Sequence, residues 1–311
     1  MEKSKLAKRA LALVTAVAVL VLCFAGCGSK DGDKVYRTYQ EIKDAKKIRI
    51  GVSSDNNPFG FADENGEYQG YEIVFAKRLA KEMKLKPEFV SVEAGNRAKY
   101  LKTGKADVVI ADYAVDDTEK IIADFAQPYM KTALATVSHK KDKVKSLDDL
   151  DKKDSVIVVS GSDAALYMAE NYKKVNLTEV ADISEAIDAL ENNRGVVWLG
   201  KNTEVAEFAM QNEGYAVGEK ELGDIVSYAP AVSKGNSTLL KKINKIMDKL
   251  YDEDFFGTDY DETLEIVYGG DFKEALIIEK KTDEAETSET TESGTADTTA
   301  TETAKATKAE N

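Results

Sequence analysis

Apolar strand segments alternate with amphipathic helix segments between residues 48 and 111, and this alternation constrains the fold more than any other feature of the sequence. Phe75, Leu79 and Met83 recur at the spacing of one helix face, with Lys and Glu on the other face. Strands separated by helices pair in parallel, so the segment predicts an α/β fold with a helix-covered sheet. The predicted elements are strand 48–52, helix 72–84, strand 87–92, helix 96–103 and strand 107–111.

The same alternation resumes at residue 155 and predicts a second α/β unit. Two segments, near 134–140 and 226–232, cross between the units. The predicted elements of this half are strands 155–159, 178–180, 194–199 and 225–233 and helices 164–171, 184–190, 203–212 and 237–250.

A polar segment follows the strand predicted at 107–111 and ends at Asp124-Phe125. Ligands of α/β proteins bind beyond the carboxyl ends of the strands, so we predict that this segment is a polar turn of a ligand site. Its charged residues are Asp112, Asp116, Asp117, Glu119 and Lys120.

The composition argues against several classes of function. A net charge of -13 disfavours a nucleic acid partner, because binding a polyanion needs clustered Lys and Arg. The one histidine, His139, lies on a Lys-rich stretch without the Cys and His spacing of a zinc site. No Gly-rich segment matches a phosphate loop or a dinucleotide fingerprint. We therefore predict a binding protein rather than an enzyme, with no cofactor and no metal.

Residues 1–26 have the pattern of an export signal. Basic residues precede the apolar run LALVTAVAVLVLCFAG, and small residues stand just before Cys27. The pattern resembles a bacterial lipoprotein signal, in which Cys27 becomes the lipidated first residue of the mature protein. A plain secretory signal and a single anchor helix are the alternatives. Two acyl chains make a stable anchor, and because Cys23 leaves with the signal, the mature chain would have no disulfide.

Both flanks of the folded region are predicted to lack a fixed structure. Residues 27–45 are predicted as a linker between the lipid and the domain. Residues 282–311 contain no aromatic and no large aliphatic residue, so they cannot bury enough apolar surface to offset the entropy of ordering. We predict a disordered Thr/Glu-rich tail there.

Residues 47–270 resemble the polar-amino-acid solute-binding proteins, family 3, of bacterial ABC importers. They resemble especially the subgroup associated with uptake of cysteine, glutamate or aspartate. The stretches that carry the resemblance are, in order, IRIGVSSDNNPFGFADENGEYQGYEIVFAKRLAKEM, NRAKYLKTGKADVVIA, DFAQPYMKTALATVS, SLDDL, NRGVVWL, APAVSKGN and TLEIVYGG.

The resemblance implies a two-lobed fold of the periplasmic-binding-protein type II with two hinge strands. Lobe 1 would comprise 46–136 plus 228–274, and lobe 2 would comprise 137–227. The lobes would close over a small polar solute, an amino acid or a related cationic or zwitterionic compound, and deliver it to ABC permease and ATPase subunits. The resemblance also implies a monomer that is lipid-anchored at the outer face of the cytoplasmic membrane.

The family's binding residues fall on unusual residues in this chain. The arginine that clamps the ligand carboxylate falls on Glu119, and its Ser or Thr partner falls on Ala114. The aspartate that takes the ligand amino group falls on Lys201. The two charged anchors are therefore reversed in sign, which turns a charge-assisted contact into a repulsion. The complete predicted ligand-binding set is Asn56, Phe59, Phe61, Arg97, Asp112, Tyr113, Ala114, Glu119, Gly161, Ser162, Asp163 and Lys201.

Within that set the resemblance gives each group a role. Phe59, Phe61 and Tyr113 would form an aromatic platform, and Arg97 matches a subgroup arginine that reaches a ligand carboxylate. Residues 161–163 stand where the family has a Gly-Thr-Thr turn.

Three interpretations of the reversed anchors are open. In the first, Lys201 or Arg97 holds an acid group of the solute, and Glu119, Asp112 or Asp163 holds an amine. In the second, the acidic segment binds a cation that has no carboxylate. In the third, Glu119 and Lys201 pair across the cleft, and the protein is a sensor or surface protein. A periplasmic dehydratase of the same fold is disfavoured, because it depends on the missing arginine.

Overall fold

The structure, a computed structural model, describes residues 35–278, in which a five-stranded and a six-stranded β-sheet are covered by helices and a small three-stranded sheet is also present. This architecture confirms the predicted α/β fold. Cys27, the predicted signal at 1–26 and the predicted tail at 282–311 lie outside the described residues. Within residues 35–278, no helix is long and apolar enough to cross a membrane.

The first unit is built on a five-stranded sheet. Its strands lie in the order β5 (Lys86–Ser91), β1 (Lys47–Val52), β6 (Val108–Val109), β14 (Ala231–Ser233) and β7 (Ala123–Phe125). Strand β1 pairs in parallel with β5 and β6, and β14 returns late in the chain to pair antiparallel with β6 and β7. The elements of the unit up to β7 are α1 (Tyr39–Asp44), β1 (Lys47–Val52), β2 (Asp55–Asn56), β3 (Gly60–Ala62), β4 (Tyr68–Gln69), α2 (Tyr71–Met83), β5 (Lys86–Ser91), α3 (Arg97–Lys102), β6 (Val108–Val109), α4 (Asp117–Ile122) and β7 (Ala123–Phe125).

The second unit is built on a six-stranded sheet. Five strands lie in the order β10 (Asn176–Val180), β9 (Ser155–Val159), β11 (Val197–Lys201), β8 (Met130–His139) and β12 (Tyr215–Val217), and β13 (Leu222–Tyr228) also pairs with β8. Its central strands are apolar on both faces, as expected for a sheet covered by helices on both sides. Its elements are β8 (Met130–His139), β9 (Ser155–Val159), α5 (Asp163–Asn171), β10 (Asn176–Val180), α6 (Ile183–Glu191), β11 (Val197–Lys201), α7 (Asn202–Gln211), β12 (Tyr215–Val217) and β13 (Leu222–Tyr228).

The C-terminal elements return to the first unit. The predicted amphipathic helix is confirmed as α8, whose stripe of Leu239, Ile243, Ile246 and Leu250 is buried in the first core. The elements are β14 (Ala231–Ser233), α8 (Ser237–Asp252), α9 (Phe255–Thr263), α10 (Glu265–Tyr268) and α11 (Lys273–Leu276). Ile277 then bridges to Met130, so the packed chain extends past the predicted end of lobe 1 at residue 274.

The strand predicted over 225–233 is in fact two strands in different sheets. Strand β13 pairs with β8 in the second unit, whereas β14 pairs with β6 and β7 in the first. Pro230 separates them, and a proline has no N–H to donate to a continuing ladder. The chain therefore passes from the six-stranded sheet to the five-stranded sheet within the predicted crossing near 226–232.

The predicted lobe boundary at residue 136 falls inside β8. This strand is continuous from Met130 to His139 and pairs with β11, β12 and β13 of the six-stranded sheet. Residues 130–139 therefore belong to one sheet, although Met130 is also buried in the first core, and the lobe boundary at residue 136 stays a prediction.

The predicted linker is wrong for residues 36–45, which are folded onto the first unit. Thr38 and Glu41 form a capping box that starts α1, and Ile42 of that helix is completely buried. Arg37 forms an ion pair with the buried Asp107, which Arg49 also binds. The sequence contains the Thr-x-x-Glu spacing of a capping box, but the polar residues around it hide the signal.

Replacing Ile42 with Ala is expected to lower the free energy of unfolding by about 2–5 kcal/mol, because the change leaves a cavity in the first core. The measurement is urea denaturation of the full chain with linear extrapolation. Lys43→Ala, an exposed change in the same helix, is the matched control and is expected to have little effect. Equal effects of the two changes would contradict the packing of α1.

Candidate functional site

A cavity of about 1140 Å³ lies where β8, β11 and β13 meet the start of α5. This volume is slightly above the range of about 300–1,000 Å³ that is common for small-molecule sites. Four carboxylates and one cation line it, so its electrostatic potential favours positive charge. These charged lining residues are Asp163, Glu170, Glu204, Asp224 and Lys201.

Lys201 ends β11 and faces this cavity. Its ammonium lies 5.5 Å from the centre of the Tyr228 ring. Burial by itself would lower the pKa of Lys201, but Tyr228 and the negative charges of Asp112 and Glu204 outweigh it, so the pKa lies above its ordinary value. Among the described residues no carboxylate oxygen lies within 4.0 Å of this ammonium, which is charged and able to hold an anionic group.

The first unit reaches the residues beside the cavity through the segment 111–119, which we call the acidic wall and which does not itself line the cavity. The wall hydrogen-bonds directly to the end of β13, where the Val115 N–H donates to the Ser227 carbonyl at 2.8 Å. Ala114 of the wall also bridges to Tyr228, which lines the cavity. Tyr228 therefore contacts both the wall and Lys201, and it brings the two halves of the predicted site together.

The middle of the predicted polar turn is helical. Asp116 caps the N-terminus of α4 by accepting the Glu119 N–H at 2.8 Å. This cap fixes Glu119 in the first turn, where its carboxylate accepts the Tyr113 hydroxyl at 2.5 Å. Burial and the adjacent Glu119 carboxylate raise the pKa of Tyr113 well above its ordinary value, so the phenol stays protonated and donates.

Glu119 and Lys201 do not pair in this structure. Within residues 35–278 no ion pair joins them, and each has a partner in its own unit, Tyr113 for Glu119 and Tyr228 for Lys201. The structure thus lacks the cross-cleft pair on which the sensor interpretation depends.

Arg97 is engaged by the acidic wall. Its Nε donates to the Ala111 carbonyl at 2.6 Å, and its guanidinium lies 3.9 Å from the Asp112 carboxylate and 5.6 Å from the centre of the Tyr113 ring. The side chain of Arg97 is 17% exposed. In this structure it holds the wall, and contact with a solute carboxylate stays a prediction.

The predicted aromatic platform is only partly exposed. Phe59 is 7% exposed, and its ring stacks on Tyr268 at 6.0 Å inside the first core. Phe61 and Asn56 are half-buried on the β2–β3 hairpin, and neither lines the cavity. Phe59 is therefore a core residue, because the Tyr268 ring covers the face of its ring.

The structure brings three of the predicted residues together at the cavity, namely Ser162, Asp163 and Lys201. Ser162 caps α5 by accepting the Ala165 N–H at 3.3 Å, while Gly161 is exposed beside it with a φ of +72°. Sequence reasoning missed Tyr228, Thr132, Trp198, Glu204 and Asp224. The first two lie in or beside the predicted crossing segments, and the Thr132 and Tyr228 hydroxyls are 3.1 Å apart.

No metal centre is visible in the described part of the chain, where no cluster of three or more His, Cys, Asp or Glu could hold an ion. His139 is half-buried, and its ring centre lies 4.4 Å from that of Tyr215.

The chain is similar to known binding proteins over most of its length. The profile of the bacterial extracellular solute-binding proteins, family 3, matches residues 48–260. The ABC transporter glutamine-binding protein of Bacillus subtilis (strain 168) is 31% identical over 258 residues, which cover 78% of this chain and 93% of that protein.

Solved structures agree with this match. The crystal structure of a solute receptor for L-cysteine from Neisseria gonorrhoeae is 36% identical, with a TM-score of 0.56, and covers 78% of this chain and 100% of that chain. An ancestral cyclohexadienyl dehydratase is 26% identical, with a TM-score of 0.58, covering 73% and 96%. These likenesses confirm the predicted two-lobed, type II fold.

The Tyr113–Glu119 hydrogen bond is expected to show coupling in a double-mutant cycle. Tyr113→Phe, Glu119→Gln and the double variant should give a coupling free energy of about 1–2 kcal/mol, because the bond is charge-assisted and partly buried. Urea denaturation supplies the four unfolding free energies. Strictly additive effects would show that the contact is absent in solution.

Proposed function

The chain belongs to the bacterial extracellular solute-binding proteins of family 3, and from that premise we propose that it captures a positively charged small solute for an ABC importer. The solute enters between the two units, and the lobes close over it. Its ammonium is taken by the acidic wall at Glu119 and Asp112, and an acid group, where the solute has one, is taken by Lys201.

The observation that carries this proposal is the reversed pair of anchors, Glu119 on the first unit and Lys201 on the second. Within residues 35–278 the Tyr113 hydroxyl is the one donor to the Glu119 carboxylate, so the carboxylate can accept further hydrogen bonds from an ammonium. The carboxylates that line the cavity, Asp163, Glu170, Glu204 and Asp224, add to the negative potential. A solute that binds only through a carboxylate would meet these charges at a cost.

We propose binding rather than catalysis for this chain. The dehydratase of this fold depends on a carboxylate-binding arginine, and Glu119 stands in that position. The lipoprotein-like pattern ending at Cys27 supports a protein anchored at the outer face of the cytoplasmic membrane, where it would meet permease and ATPase subunits.

A thermal-shift panel tests the proposal. Putrescine, agmatine, L-lysine and L-arginine are the positively charged probes, and L-glutamate and L-cysteine are the comparison probes. A bound probe at a hundred times its Kd stabilises the fold by about 2.7 kcal/mol. We expect stabilisation by at least one positively charged probe, lost in Glu119→Ala, and none by L-glutamate.

The double variant Glu119→Arg/Lys201→Asp is the matched control, since it restores the family's anchors. It is expected to lose the response to putrescine and agmatine and to gain a response to ordinary L-amino acids. The proposal fails if L-glutamate or L-cysteine stabilises the unmodified chain and the shift survives both Glu119→Ala and Lys201→Ala.

A further inference from the structure

A single peptide group of the acidic wall, the one between Ala111 and Asp112, is held from both sides by ionisable side chains. Arg97 Nε donates to its carbonyl at 2.6 Å, and its N–H donates to Glu72 Oε1 at 2.5 Å. Arg97 lies on α3 and Glu72 lies on the first turn of α2. Two helices therefore fix the orientation of one peptide plane at the start of the wall.

Glu72 is fully buried, which is unusual for a carboxylate. Its Oε1 accepts a second hydrogen bond, from the Tyr129 hydroxyl, while its Oε2 has no partner within the described residues. Burying a half-satisfied carboxylate is costly, so packing alone does not account for it. Its hydrogen bonds point to a role in holding the wall.

The peptide group that Glu72 holds decides the direction of the wall. Asp112 has a φ of 49°, in the left-handed region that side-chain-bearing residues seldom adopt. Such a conformation persists where its surroundings impose it, and here the two side chains on the preceding peptide do so. Tyr113 follows directly, and its hydroxyl meets Glu119.

We infer that Glu72 is a positioning residue of the solute site, whose ionised carboxylate holds the acidic wall in its binding geometry and whose protonation loosens it. A hydrogen bond to a charged acceptor is about twice as strong as one to a neutral acceptor. Protonation therefore weakens the hydrogen bond from the Asp112 N–H to Glu72 Oε1. The consequence for solute capture rests on the proposed function, whereas the hold on the wall does not.

The charges around Glu72 place its titration near neutrality. Burial raises its pKa most, and the Asp112 carboxylate raises it further. The Tyr129 hydroxyl, the Asp112 N–H and Arg97 act in the opposite direction, and the result is a pKa of about 7. Tyr71, on the same helix, also faces this group.

The sign of the pH effect separates this role from a purely structural one. The pKa of Glu72 in the folded chain is above its ordinary value of 4.5, so the folded state binds the proton more tightly. Ionisation therefore lowers overall stability as the pH rises towards about 7. The wall should tighten as the pH rises through about 7, because Glu72 of the folded chain ionises there and only the ionised carboxylate makes the stronger hydrogen bonds.

Hydrogen exchange of the full chain tests the inference without any solute. After correction for the intrinsic rate, the Asp112 amide is expected to exchange about tenfold more slowly at about pH 8 than at about pH 5.5. In Glu72→Gln, which cannot ionise, protection should stay at the low-pH level throughout. A flat profile in the unmodified chain would overturn the inference.

Two further variants keep the test decisive if Glu72→Gln fails to fold. Tyr129→Phe removes a hydrogen bond that lowers the pKa of Glu72, so the transition should move to higher pH; an unchanged midpoint would refute the assignment. Asp259→Asn is the matched control, since Asp259 is buried with a pKa raised by burial to about 8 but does not contact the wall. If Asp259→Asn alters the exchange profile, the effect comes from a general loosening of the fold, and the proposal is wrong.

The two proposals fail separately. A solute panel without any response would count against the proposed function and would leave the exchange profile of the wall unchanged. A flat exchange profile would count against Glu72 and would leave the panel unaffected.

Discussion

Strands β8 and β13 pair antiparallel in the six-stranded sheet next to the point where the chain changes sheets, and the candidate site depends on this pairing. Ser227 and Tyr228 pair with Lys131 and Met130 at the point where the chain changes sheets. Because Tyr228 is fixed there, it contacts Ala114 of the first unit and the ammonium of Lys201 of the second.

Each charged side chain at the site has a partner within its own unit. Glu119 has the Tyr113 hydroxyl, Arg97 has the Ala111 carbonyl, and Lys201 has the Tyr228 ring. The partners of Glu119 and Lys201 are neutral, so these two charges are kept rather than cancelled, whereas Arg97 also lies 3.9 Å from the Asp112 carboxylate. A site built this way attracts an oppositely charged ligand and needs little rearrangement to receive it.

The sequence predicted most of the helices and strands, because their apolar periodicity is strong. Strand 155–159 was predicted to the residue, and α8 was predicted from one apolar stripe. The errors fall where tertiary contacts decide. Residues 36–45 are folded because Ile42 packs in the first core. Residues 117–122 are helical because Asp116 caps them. The strand predicted over 225–233 changes sheet at Pro230, which no local pattern of hydrophobicity reveals.

The sequence by itself determined the alternation that makes two α/β units, since this alternation is a property of residue type and order. It also shows the charges of Glu119 and Lys201, whose place as anchors of a ligand stays a prediction. Only the tertiary structure decided which groups these charges meet and whether they meet each other. It also singled out Glu72, which in the sequence is one more acidic residue at the start of a helix. Its importance comes from burial and from hydrogen bonds to residues 40 and 57 positions away, and contacts between distant parts of a chain exist only once the core has formed.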